Sequence, residues 1–120
     1  MAQKYIEGDV VMYGNNIMII KEPREEGLFD LLWNSWIIYS YINIEEIKPV
    51  PLTPEILEKN GWKKLYEKFF EKNVNNIRLT IEFSENIYVA INRIFIMEIH
   101  YIHELQHLLF GLGLNSEMEV

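Results

Sequence analysis

The segment 103–107, His-Glu-Leu-Gln-His, carries the residue types of a hydrolytic zinc site. An α-helix has about 3.6 residues per turn, so His103 and His107 would lie one turn apart on the same side, with Glu104 beside them. Two imidazoles at this spacing bind zinc, and the glutamate between them polarises a zinc-bound water for attack on a carbonyl. His100 would join this side if the helix began before it. The segment therefore supports one hypothesis, a zinc-dependent hydrolase.

A catalytic zinc site also needs a third protein ligand, which zinc proteases of this type take from beyond the motif helix. After His107 the only acidic candidates are Glu117 and Glu119, and the sequence contains no further histidine. One class of zinc proteases continues this motif with a glycine at a fixed spacing, and Gly111 lies one residue beyond that position. A chain of 120 residues has little material for a substrate cleft besides its core. We therefore predict no catalytic residue, no metal ligand and no cofactor.

The apolar pattern of this segment gives a second interpretation. The sequence predicts a helix over residues 100–112, which ends near Gly111 or Gly113. Its apolar residues fall within an arc of about 100° on a helical projection: Tyr101, Ile102, Leu105, Leu108, Leu109 and Leu112. We expect Tyr101, Leu105 and Leu108 to be buried. The polar residues outside the arc are expected to face solvent or a partner: His100, His103, Glu104 and His107. Incidental zinc or nickel binding, or a pH-dependent contact near neutrality, stays open for the histidines.

The first half of the chain reads mainly as strand. Apolar runs at 9–13 and 17–21 flank Gly14-Asn15-Asn16, residues that accept positive φ at low cost, which predicts a β-hairpin. Residues 21–27 read as a polar surface loop. Helical spacing at 28–36 favours a turn or short helix before a strand that begins near Trp36.

The second half mixes helix and strand. Prolines at 49 and 51 precede a helix that should begin with Thr53 as its N-cap and Pro54 in its first turn, and Gly61 should end it. Residues 62–72 fit helix or strand. Strict alternation over 77–83 predicts a half-buried antiparallel strand, and residues 87–99 predict two more strands or one bent one.

These elements predict a single α+β domain over residues 1–120. Its fold would be a small curved antiparallel sheet with a middle helix and a C-terminal helix packed on it. Residues 1–50 form the mainly β part, in which an SH3-like barrel is one interpretation, and residues 51–120 form the α+β part.

Composition narrows the classes of function. The chain has no cysteine, and no apolar run reaches the roughly 18–20 residues that cross a bilayer, so we expect a soluble, unprocessed protein in the cytoplasm. Its 18 acidic and 11 basic residues give a net charge of −7. Binding to nucleic-acid phosphates requires clustered basic residues, so a nucleic-acid-binding module is the weakest of three hypotheses. An acidic protein suits a basic protein surface instead.

Two segments, 44–62 and 101–113, together resemble a group of short, functionally uncharacterised proteins of Bacteroidetes and their phages and prophages. Members of that group share an opening strand like Gly8-Asp9-Val10 and a helix start that residues 49–55 (Pro-Val-Pro-Leu-Thr-Pro-Glu) match. The closing helix of that group resembles Val-His-Gln-Leu-Gln-Asn-Leu, so it has glutamine in place of Glu104 and asparagine in place of His107. His103, Leu105 and Gln106 are residues that match it.

The resemblance implies no activity, cofactor or catalytic residue. It does imply a setting of phages and mobile elements, in which small acidic proteins often bind a host or defence protein. The leading hypothesis is therefore a non-enzymatic protein that acts by protein–protein binding, for instance as an anti-CRISPR-like inhibitor of a bacterial defence nuclease. The sequence does not specify the partner or the oligomeric state.

Overall fold

The computed structural model describes residues 5–120, and residues 1–4 lie outside the described part of the chain. Two five-stranded antiparallel sheets and two helices make up this part. The expected α+β class, with a helix packed on a small antiparallel sheet, is confirmed.

The first sheet contains the five strands before residue 50. They are β1 Val10–Tyr13, β2 Asn16–Pro23, β3 Leu28–Trp33, β4 Ile37–Asn43 and β5 Ile47–Pro49, with a 3₁₀ turn at Ile44–Glu46 before β5. Their order is β4-β3-β2-β1-β5, so the last strand returns to pair with the first. The predicted hairpin is present as β1 and β2, and Gly14 in its turn has a φ of 61°. This order, with a 3₁₀ turn before the fifth strand, agrees with the SH3-like interpretation.

The expected turn or helix at 28–36 is wrong, because residues 28–33 form β3. Leu31 and Leu32 point to opposite faces of the sheet, and both faces are at least partly covered there. The strand pairs with β2 on one side and with β4 on the other. Apolar residues on both faces of this strand leave Asp30 as the only polar residue of 28–33, and a helical projection shows this pattern as helical spacing.

The middle helix, α1, spans Pro54–Lys59 and follows the predicted start signals. The Thr53 hydroxyl accepts a hydrogen bond from the Ile56 amide at 3.3 Å, and Pro54 occupies the first turn. Gly61, with a φ of 87°, follows the helix. Thr53 and Pro54 therefore specify the start of α1, and Gly61 follows its end.

The second sheet contains β6 Lys63–Tyr66, β7 Phe69–Val74, β8 Ile77–Phe83, β9 Ile87–Ile91 and β10 Ile94–Ile99. The strands form a meander in the order β10-β9-β8-β7-β6. Residues 62–72 are therefore mostly strand, the alternating strand at 77–83 is confirmed, and residues 87–99 form two strands.

The final helix, α2, spans Ile102–Gly111 and packs against residues of both sheets. Its buried residues Ile102, Leu105 and Leu109 join one core cluster with Val10 of β1 and Leu79 of β8. The helix begins after His100 because two backbone hydrogen bonds hold residues 100–102 extended against residues 50–52. No helix in residues 5–120 is long and apolar enough to span a membrane.

A second cluster fills the opposite face of the first sheet. Its buried members are Tyr5, Val11, Met18, Ile20, Phe29, Leu31 and Ile47. Tyr5 brings the start of the described chain over this sheet, and the loop that follows Tyr5 reaches α2.

Candidate functional site

Glu104, the expected catalytic base of the zinc hypothesis, holds the start of α2. It is the third residue of the helix, and its Oε1 accepts hydrogen bonds from the amides of His100 at 2.7 Å and Tyr101 at 2.9 Å. Helix N-termini leave amides without intrahelical partners, and a glutamate at this position satisfies them. Its negative charge also suits the positive end of the helix. The geometry therefore gives Glu104 a capping role.

His103 was expected to face solvent, and this expectation is wrong: its side chain is buried, with 4% of the residue exposed. The ring lies edge-on to Tyr5 at 5.2 Å between centroids and nearly parallel to the ring of Tyr101 at 5.9 Å. Its Nδ1 is buried and has no hydrogen-bond partner within residues 5–120. Burial disfavours the charged ring and lowers the pKa of His103 below its usual value. We infer that His103 packs against Tyr5 and Tyr101 as a neutral ring.

The reason for this burial lies at the other end of the sequence. A helical projection treats the side opposite the core as solvent-facing. Here Tyr5 and the entry loop, which we define as residues 6–9, lie over that side of α2. Of the three residues expected beneath the histidines, Leu105 is fully buried, whereas Tyr101 and Leu108 are only half-buried.

His107 is half-buried and pairs with Asp9 in the entry loop. His107 Nε2 lies 2.8 Å from Asp9 Oδ2, and the same oxygen accepts the Ile6 amide at 2.9 Å. Only 1% of Asp9 is exposed. Burial raises the pKa of the Asp9 carboxyl, while the hydrogen bonds from Ile6 and His107 oppose the rise. Asp9 Oδ2 thus lies within hydrogen-bond distance of both the Ile6 amide and the His107 ring.

Gln106, which the sequence did not single out as functional, makes the most extensive polar contacts of the helix. Its Oε1 accepts the Val10 amide at 2.8 Å, and its Nε2 donates to the carbonyl oxygens of Gly8 at 2.8 Å and Ser116 at 3.1 Å. Only 3% of the residue is exposed. The carboxamide thus spans the peptide groups on both sides of Asp9. The available signal was that Gly8, Asp9 and Gln106 all lie where the chain resembles the Bacteroidetes and phage group.

His100 lies apart from this site. It precedes α2, is exposed, and its Nε2 lies 2.9 Å from a carboxylate oxygen of Glu98. The rings of His103 and His107 are 5.5 Å apart. The structure therefore brings together two of the three histidines and adds Asp9.

The possible metal donors of this region make other contacts. Within residues 5–120, no three histidine, aspartate or glutamate side chains are grouped so that they could hold a metal ion. Glu117 and Glu119, the sequence's candidates for a third ligand, are exposed in the tail after α2. His107 already shares its Nε2 with Asp9, and Glu104 is bound to the helix start. The arrangement joins the entry loop to α2 through uncharged and charge-assisted hydrogen bonds.

Compared with protein-family models, with curated proteins and with solved structures, the chain shows no significant match.

Proposed function

We propose that the protein acts by binding another protein, and that the exposed part of one face of the first sheet makes the contact. The single observation that carries the proposal is a row of paired apolar residues across four strands. Val10 pairs with Ile19, Ile19 pairs with Leu32, and Leu32 pairs with Ile38. Directly opposed residues in antiparallel strands point to the same face, so the row is continuous on that face.

Exposure along this row is lowest at Val10 and highest at Ile38, and Leu32, between Ile19 and Ile38, is half-buried. Val10 is 1% exposed because the core cluster of α2 and the second sheet covers it. Ile19 is 39% exposed and Ile38, on the edge strand, is 47% exposed. Ile17, two residues before Ile19 on the same face, is also 39% exposed. We call Ile17, Ile19, Leu32 and Ile38 the open face.

A groove lies where the open face meets the covered half of the sheet. Its volume is about 440 Å³, and Ile17, Ile19 and Leu32 line one side while Met118 and Val120 line the other. The next turn carries Trp36, which is 77% exposed. Exposed tryptophans and contiguous apolar patches are typical of protein-binding surfaces. The groove offers a place for an apolar side chain of the partner.

The charge of the chain selects the kind of partner. With 18 acidic residues against 11 basic ones, a second copy would bring the same net charge of −7 to the contact. A partner with a basic surface around an apolar centre would be attracted instead, and such charge complementarity speeds association. We therefore assign the open face to a basic protein partner.

A nucleic-acid-processing enzyme is the partner class that fits this chemistry best. Such enzymes present basic surfaces to phosphates, which an acidic protein can occupy. The resemblance to phage and prophage proteins supports a bacterial defence nuclease as the specific target and a mobile element as the source. The proposed function is thus the non-enzymatic inhibition of such a nuclease by direct binding.

The test uses purified nucleases of a Bacteroidetes host and substitutions on the open face. Ile19→Ser and Ile38→Ser remove apolar contact area, and Ile94→Ser is the matched control because Ile94 is 66% exposed on β10 of the other sheet. Loss of a central apolar contact typically weakens binding by about tenfold or more. We expect both open-face variants to lose binding and inhibition, and Ile94→Ser to retain both.

Two outcomes would reject this assignment. One is a nuclease that binds all variants equally well, since the open face would then make no contact. The other is a concentration-dependent dimer of the wild-type protein that Ile38→Ser abolishes, because a second copy would then occupy the face. Thermal unfolding of each variant separates these effects from loss of folding, since exposed substitutions usually change stability by about 0.5 kcal/mol or less.

A further inference from the structure

A cleft of about 490 Å³ lies at one end of the second sheet, far along the chain from the open face. Its lining consists of amide and guanidinium side chains: Asn73, Asn75, Asn76, Arg78, Asn92 and Arg93. The β7–β8 and β9–β10 turns meet there because β8 pairs antiparallel with both β7 and β9. Residues from two separate hairpins are thus brought to one place.

The two turns define the backbone positions of these residues, whose side chains are exposed. Asn75, Asn76, Asn92 and Arg93 all have positive φ, between 50° and 70°, the conformation of tight two-residue hairpin turns. Glycine suits the second position of such turns best, yet Arg93 occupies it with a φ of 70°. The turns are also tied together, since the Arg78 amide donates to Asn92 Oδ1 at 2.9 Å and the Asn92 amide donates to the Arg78 carbonyl at 2.8 Å.

The charge of the cleft differs from that of the rest of the chain. Its lining includes two arginines and no acidic residue. Arg78 Nε lies 2.9 Å from Glu71 Oε1, so Glu71 offsets part of the charge of Arg78. Arg93 forms no salt bridge with any other residue of the described range 5–120. A protein of net charge −7 therefore presents a local group of cationic and amide donors.

The chemistry of the lining selects among ligand classes. Without a carboxylate, the cleft does not suit a metal cation, and without an aromatic ring it offers no stacking surface for a base or a sugar. Guanidinium groups bind phosphate-type oxygens with paired hydrogen bonds, and asparagine amides can add further donors. Two arginines on an acidic protein are too few for a polynucleotide. We propose that this cleft binds one small phosphate-type oxyanion, either free or as a phosphate monoester.

The proposal does not depend on the proposed function, and its test is a direct titration. Sodium phosphate is added to the full chain at constant ionic strength, kept with sodium chloride, while NMR follows the Nε–H of Arg93 and the carboxamide of Asn76. We expect saturable shifts with a Kd on the order of 1 mM. Arg93→Gln should weaken binding by about tenfold, because one charge-assisted contact is lost. The matched control Lys64→Gln removes an equal charge from exposed β6 and should leave the Kd unchanged.

A second arm uses methyl phosphate in place of inorganic phosphate. Tighter binding of the ester would identify a phosphate monoester as the ligand, and tighter binding of inorganic phosphate would identify the free ion. Shifts that fail to saturate would overturn the proposal, as would equal weakening by Lys64→Gln and Arg93→Gln. Arg78→Gln provides a second variant with the same expectation if Arg93→Gln alters the unfolding temperature.

Discussion

Asp9 Oδ2 lies 2.8 Å from Nε2 of His107, although 98 residues separate the two positions in the chain. Gln106 reinforces this contact by hydrogen-bonding the peptide groups of Gly8 and Val10, which flank Asp9. The two ends of the described chain are therefore joined through buried polar groups, a type of contact that is costly when one partner is removed. The segment 103–107, which resembles a zinc site, supplies the helix residues of this contact.

Replacing Gln106 with leucine should destabilise the protein. The side chains have similar volumes, but the variant leaves the Val10 amide and the Gly8 carbonyl without their partner. Unsatisfied buried polar groups cost about 1–3 kcal/mol each, so we expect the two together to lower the free energy of unfolding by about 2–6 kcal/mol. Urea denaturation measures it, with Phe110→Ala on the same helix as control because Phe110 is 65% exposed. A loss no larger than that of the control would refute the role of Gln106.

Acidification should destabilise the wild-type protein through His103. Because burial lowers its pKa below 6.5, the unfolded chain binds a proton that the folded chain resists. The contribution of a neutral His103 to the free energy of unfolding is fully present above pH 6.5. It is lost as the pH falls below that value, by no more than about 1.4 kcal/mol per pH unit. Asp9 and Glu104 favour the protonated ring and His107 opposes it, but desolvation is the largest influence.

His103→Phe keeps an aromatic ring between Tyr5 and Tyr101 but cannot be protonated. Its free energy of unfolding should fall less steeply than that of the wild type between pH 7 and pH 5. Denaturant unfolding at several pH values measures both slopes. Equal slopes would show that His103 is not the group that titrates, and a much less stable variant at pH 8 would show that its nitrogen has a partner.

Glu104→Gln should leave the fold largely intact, because the amide oxygen can still accept the hydrogen bonds from His100 and Tyr101. Loss of the negative charge at the helix N-terminus costs about 0.3–1 kcal/mol. Glu104→Ala removes both hydrogen bonds and should cost more, about 1–2 kcal/mol. The order of stability should be wild type, then the glutamine variant, then the alanine variant.

A zinc-dependent hydrolase would require His103 and His107 to bind zinc and Glu104 to polarise a zinc-bound water. Elemental analysis of protein purified without a histidine tag should find less than one zinc per chain. Zinc added to the apo-protein should bind no tighter to the wild type than to His107→Gln, which lacks one of the two imidazole ligands of that hypothesis. Stoichiometric zinc held by His103 and His107, together with hydrolytic activity that Glu104→Gln removes, would instead establish the hydrolase and reject the capping interpretation.

Asn60→Ala should release the tail that follows α2. The Asn60 side chain donates to the Glu119 carbonyl and accepts the Glu119 amide, both at 2.8 Å, in the manner of a paired strand. Met118, the residue before, is 8% exposed and joins the core cluster of α2. We expect faster hydrogen exchange at the Glu119 amide and a loss of about 1–2 kcal/mol. Asn115→Ala, whose side chain bonds only the nearby Glu117 amide, is the control and should leave the Glu119 amide protected.

The sequence alone determined the elements whose signals are local. Thr53 and Pro54 specify the start of α1, the turn at residues 14–16 specifies the first hairpin, and alternation over 77–83 specifies β8. Each signal acts within one or two turns or across one hairpin, so neighbouring residues are sufficient to express it. The strand at 28–33 was missed because apolar residues on both of its faces remove the alternation that marks a strand.

The tertiary structure decided which side chains of α2 are buried. Periodicity identified Ile102, Leu105 and Leu109 as core residues, but it assigned His103 to solvent and gave Gln106 no role. A helical pattern reports only how residues are arranged around their own axis, and it contains no information about a loop from the other end of the chain. Asp9 and Tyr5 lie against the polar side of α2 only in the tertiary structure, where the segment 103–107 makes contacts with the entry loop.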